Sequence, residues 1–75
     1  MTSIKSIRKS RYMPFIKRGM RVLHTHTNRY GRITGGNESC NLQVKFDGDK
    51  YSQNCHPKFK MIYFDKKGNI IKSYD

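Results

Sequence analysis

Nine cationic side chains precede the first acid in this chain. Lys5, Arg8, Lys9, Arg11, Lys17, Arg18, Arg21, Arg29 and Arg32 all come before Glu38, and all six arginines are among them. A guanidinium is a planar fork of donors that matches phosphate or carboxylate oxygens, whereas lysine is a flexible point charge. Tyr30 sits among the arginines and Tyr51 lies further on. A ring beside phosphate-binding cations can stack on an unpaired base, worth about 1–3 kcal/mol per base. From Glu38 onward seven lysines face five acids, a balance that reads as ordinary scaffold. With a net charge of +11, the expected partner is a polyanion, and a nucleic acid, DNA or RNA, comes first. The nine cations and Tyr30 are the expected contact residues, with phosphates outweighing base edges and little sequence specificity.

Other chemistry is weaker. His24-x-His26, Cys40 and Cys55-His56 are zinc-type ligands, and residues 24 and 26 point to one side of a strand. Their spacing matches no zinc knuckle, and neighbours 55 and 56 face opposite ways in a regular strand. Cys40 and Cys55 read instead as small, partly buried fillers, and the histidines as surface or core polar groups. A Cys-His nucleophile pair would need a third group to orient the base, and none is supplied. Asp47 and Asp49 flank Gly48, where aspartate serves turn chemistry. The expectation is a binding protein, not an enzyme, without metal or cofactor.

The elements that must position these residues are short. Seventy-five residues, 35% of them hydrophobic, make one domain with a small core. Residues 1–15 read as a flexible basic arm, since Ile4 and Ile7 alone cannot sustain an isolated helix. Within it, Tyr12-Met-Pro-Phe-Ile16 is apolar but interrupted by Pro14, which suits an edge strand or a lead-in covering one end of the core. Residues 16–75 read as the folded domain. Alternation and turn residues predict strands at Met20–His26, Tyr30–Thr34, Asn41–Phe46, Lys50–Gln53 and Phe59–Phe64, with Ile70 and Ile71 after a hairpin loop. Leu42, Val44 and Phe46 share one face, as do Phe59, Met61 and Tyr63. Gly35–Ser39 reads as a loop, and Asp47-Gly48 as a hairpin turn. The fold class is all-β: five to six short antiparallel strands in a small barrel.

Gly19-Met-Arg-Val22, Gly31-Arg-Ile33 and Val44-Lys-Phe46-Asp47 resemble the β1-β2-β3 core of SH3-like barrels of the KOW and Tudor type. The similarity covers residues 16 to 64. The segment Thr25–Tyr30 replaces the glycines and lysine of the first KOW loop, and a full Tudor aromatic cage is missing. The resemblance implies an SH3-like barrel that binds RNA, DNA or protein. Small basic chains with an Asp-x-x-Gly-Asn hairpin, here Asp65–Asn69, also resemble short phage-encoded proteins. A second reading is a protein-interaction module docking on an acidic host protein or nucleoprotein complex, with Tyr12-Met-Pro-Phe15 as its anchor. A third, an enzyme similar to the small plasmid-type dihydrofolate reductases, would need a homotetrameric pore and rests on Lys60-Met-Ile-Tyr63. Two cysteines fifteen apart, an opening Met-Thr-Ser-Ile-Lys without an apolar run, and no apolar stretch near ~20 residues point to the cytoplasm, the host's if phage-encoded.

Overall fold

The computed structural model describes residues 4–37 and 39–74. One short helix, α1 (Ile4–Ser10), precedes six strands: β1 (Arg21–His24), β2 (Arg29–Gly36), β3 (Leu42–Phe46), β4 (Gln53–Cys55), β5 (Met61–Phe64) and β6 (Ile70–Tyr74). The strands form a single antiparallel sheet in the order β4-β3-β2-β1-β5-β6. The sheet is open, with β4 and β6 as its edges, so the expected barrel is a curled sheet. Extents of 27 × 26 × 21 Å are nearly equal, as for a sheet wrapped around its core.

Alternation sets the inner face. Val22, Ile33, Leu42, Val44, Phe46, Met61 and Tyr63 are all buried at every-other positions of their strands. At Gly31 the packing of β3 leaves no room for a side chain: a Cβ there would lie 2.8 Å from Val44 Cγ1 and 3.0 Å from the Lys45 carbonyl. The Tyr63 hydroxyl, the one polar atom this face brings deep into the core, donates to the Pro57 carbonyl.

Several expectations are corrected. The stretch expected to be a flexible arm carries α1, whose Ile4 and Ile7 join the core (Met1–Ser3 lie outside the described residues). Spacing of three puts both isoleucines on one face, and burying them supplies what a seven-residue helix lacks alone. The helix ends with Met13 N donating to the Arg8 carbonyl at 2.9 Å and Tyr12 at φ 56, a Schellman-type close. Tyr12–Ile16 forms turns instead of a strand, with Met13 and Ile16 fully buried and Phe15 edge-on to Tyr63 at 5.4 Å. It serves as the lead-in covering the core; of the expected docking anchor Met13 is buried and Phe15 half-buried, while Tyr12 and Pro14 are exposed.

The third concerns β2, which runs on through Gly35 and Gly36, past a bulge between Ile33 and Gly35. Glycine at 36 leaves room for the Ile7 side chain, which would clash with a Cβ. The last concerns Phe59, which does not share a face with Met61 and Tyr63. Lys60 at φ 53 breaks the alternation and leaves Phe59 52% exposed. The fourth strand also starts later than expected, at Gln53, after a loop in which Gly48 at φ 88 closes the turn from Phe46 to Asp49.

Candidate nucleic-acid interface

Each expected cation has a distinct place. Lys5 and Lys9 are exposed on α1. Arg8 and Arg11 turn inward as structural ties: Arg8 Nε donates to the Ile16 carbonyl, and Arg11 donates to the Cys40 carbonyl at 3.2 Å and the Ser39 carbonyl at 3.4 Å. Both brace the helix against the segments that flank it.

Arg21 and Arg29 are ion-paired. Arg21 holds Asp47 through both guanidinium ends, one contact at 2.8 Å, and its Cζ lies 5.4 Å from the centre of the Tyr30 ring. Arg29 donates to Asp49 at 2.9 Å and lies over Phe46. The Arg21 hydrogen bond holds the Asp47 carboxyl below its usual range, and the Arg29 bond does the same for Asp49. Among the described residues, only these two of the sixteen cations have an acidic partner. Arg32 is exposed and donates only to the Gly19 carbonyl, at 3.3 Å.

The cations converge on one feature. A groove of about 1010 Å³ runs between the turn before β1 and the β5-β6 hairpin. Lys17, Arg18, Arg21 and Arg32 line it, and so do Lys66 and Lys67. Phe15, Phe64 and Ile71 supply apolar surface in the same groove. Lys17 and Arg18 are carried there by a turn that needs Gly19 at φ 85. Lys66 and Lys67 are held at the hairpin tip by Asp65, whose carboxylate accepts backbone N–H groups of Lys67 at 2.8 Å and Asn69 at 2.9 Å. The Asn69 bond leads in keeping that carboxyl below its ordinary value. The one acid lining the groove among the described residues is therefore committed to shaping the loop that presents two lysines.

Lys66 and Lys67 were not among the expected contact residues. Their signal was present as Lys-Lys inside a glycine-asparagine turn, but charge counted along the chain assigned them to scaffold. The hairpin carries them back across space to the N-terminal cations. Tyr30 is 47% exposed on the sheet's outer face, 6.0 Å from Phe64, and Tyr51 is 81% exposed in the β3-β4 loop, away from the groove.

The ring-bearing end of the sheet is different. His24, His26 and Phe59 lie within 6.2–6.3 Å of one another, and His24 also meets Phe46 edge-on. Burial pushes the His24 imidazole down from its ordinary value, and His26 adds in the same direction. Cys55 is buried in β4, where desolvation pushes its thiol up, and Cys40 is half-buried. Among the described residues no group of three His, Cys, Asp or Glu side chains could hold a metal ion. No helix among them is long and apolar enough to cross a membrane.

Comparison with protein-family models, curated proteins and solved structures finds no match for this chain.

Proposed function

We propose that this protein binds nucleic acid through the groove, with Lys17, Arg18, Arg32, Lys66 and Lys67 contacting phosphates. The observation that carries the reading is the convergence of these five cations, none of them ion-paired among the described residues, in one groove whose only carboxylate among those residues is engaged by its own loop. Lys5 and Lys9 extend the positive surface along α1. Arg8, Arg11 and Arg29 leave the contact set, because each holds the fold together. The antiparallel β1-β2-β3 meander is the part of the chain on which the resemblance to SH3-like barrels rests. Recognition through phosphates gives modest sequence selectivity.

The test is binding of the nuclease-treated protein to labelled duplex DNA, single-stranded DNA and structured RNA across a salt series. Five phosphates neutralised on a duplex give a slope of log K against log salt of about −4.5. Affinity that does not change with salt would remove the proposal. A second reading, docking on an acidic protein, is favoured by Ile70 and Ile71, 61% and 40% exposed on the edge strand β6. If nuclease treatment of a lysate leaves the co-purifying material attached, that reading gains.

A further inference from the structure

The outer face of the sheet carries two parallel rows of side chains, one apolar and one cationic. The register places Tyr30 opposite Leu23 and Leu23 opposite Ile62, a row crossing β2, β1 and β5. Two residues along each strand, on the same face, Lys45 lies opposite Arg32 and Arg32 opposite Arg21. The intervening Val22 and Gly31 are buried, so both rows point away from the core. The two rows stand about 7 Å apart along the strands, and neighbours within a row about 4.8 Å apart. α1 docks on the core side; on the outer face Tyr30, Arg32 and Lys45 are exposed and Leu23 and Ile62 are half-buried.

We propose that this face binds single-stranded nucleic acid, with unpaired bases on the Tyr30–Leu23–Ile62 row and phosphates on the Lys45–Arg32 row, continuing into the groove. The inference rests on the nucleic-acid reading and specifies its strand state. A duplex buries its bases and presents phosphates, so it has no use for an apolar row beside the cations. A single strand presents a charged edge and a set of ring faces side by side, as these rows do. The charge balance selects an anionic occupant over a second copy of the chain, and competition by polyglutamate separates a single strand from an acidic protein. Asp47 is engaged by Arg21 in the cationic row; Arg32 and Lys45 form no ion pair among the described residues, with Asp47 acting on Arg32 at longer range and Asp47 and Asp49 lining the pocket beside both. A second copy would bring the same positive charges against them. Arg21, stacked on Tyr30 and held by Asp47, fixes the ring on the surface with 47% of the residue exposed.

Fluorescence anisotropy at matched salt tests this with labelled single-stranded DNA and RNA of about 12 nucleotides, the corresponding duplex, and polyglutamate as a competitor. Tyr30→Val keeps a strand-forming side chain and removes the ring, Tyr30→Phe keeps the ring, and a thermal melt checks that both fold. The expected result is tighter binding of the single strand than of the duplex. Tyr30→Val lowers single-strand affinity about tenfold and leaves duplex affinity within about twofold, while Tyr30→Phe retains the parent affinity. Duplex binding as tight as single-strand binding, an equal loss for both forms in Tyr30→Val, or polyglutamate competing equally would overturn the inference. The first two leave the nucleic-acid reading standing. If no nucleic acid form binds, the reading fails and this inference falls with it.

Discussion

Strands β1, β2 and β5 have two ends, and the same small sheet has built them differently. At one end Arg21, Arg32 and the hairpin lysines Lys66 and Lys67 surround a groove whose acid is occupied by backbone donors. At the other, Arg29 is neutralised by Asp49 and laid over Phe46, while His24, His26 and Phe59 cover the end of the core. The first end gathers several unpaired cations around one groove, whereas at the second Arg29 is paired and the rings cover the core, with Lys58 and Lys60 exposed beside them. Uncompensated charge on a small domain costs stability through self-repulsion, and its concentration around the groove is what supports the proposed binding surface.

Charge reversal should separate the two ends most sharply. Lys66→Glu with Lys67→Glu is expected to weaken duplex or single-strand binding more than about tenfold at low salt and to flatten the salt slope by nearly two. Lys58→Glu with Lys60→Glu, at the ring end, should change binding far less in the same titration. Equal losses would show that net charge alone matters and erase the distinction.

Gly31→Ala strikes the middle that both ends share. The added Cβ meets Val44, Phe46 and the Lys45 carbonyl at 2.8–3.0 Å, and backbone cannot swing aside. A loss of about 1–3 kcal/mol in urea unfolding is expected, with the slope unchanged. A neutral result would mean that β2 and β3 are less closely packed than the structure shows.

Asp47→Asn asks whether Arg21 belongs to the binding end. The pair is exposed, so stability should move by less than about 1 kcal/mol. Freeing the guanidinium should raise nucleic-acid affinity about fivefold at low salt. No gain would leave Arg21 a structural residue, like Arg29.

The smallest effect concerns the ring end and pH. His24 has its pKa lowered in the fold, so it favours the neutral imidazole. That contribution is fully present above the unfolded value, about 6.5, and is lost as pH falls through the lower folded value. The melting temperature should therefore drop between neutral pH and pH ~5.5, and His24→Gln should reduce the drop. The Arg21 hydrogen bond to Asp47 and the Asn69 backbone bond to Asp65 hold both carboxyls below the usual aspartate range, so they should not contribute in this window. An unchanged drop in His24→Gln would place the pH sensitivity elsewhere.

Much of the fold was legible in local patterns. Leu42, Val44 and Phe46 alternate without interruption, and β3 lies where they predict it. The loop at Asp65–Asn69 also falls where its turn residues place it. Phe59 misled because alternation assumes extended backbone throughout, and Lys60 leaves that region. The helix was hidden because two isoleucines carry too little signal until Gly36 and the 39–41 turn provide something to dock against. The candidate site was half visible. Arg18, Arg21 and Arg32 were named with Lys17, but nothing local tells a free arginine from one that ties a carbonyl.

The chain by itself determined its excess of positive charge, the alternation of its strands and the turns that separate them. These depend on residue type and on neighbours two to four positions apart. Only the tertiary structure decided which cations remain available. Pairing Arg21 with Asp47, and Arg29 with Asp49, depends on strand register across about twenty residues or more. Bringing Lys66 and Lys67 beside Lys17 and Arg18 depends on β1 and β5 lying adjacent in the sheet. Charge is additive along a sequence, but electrostatic contact falls with distance in space, and folding sets that distance.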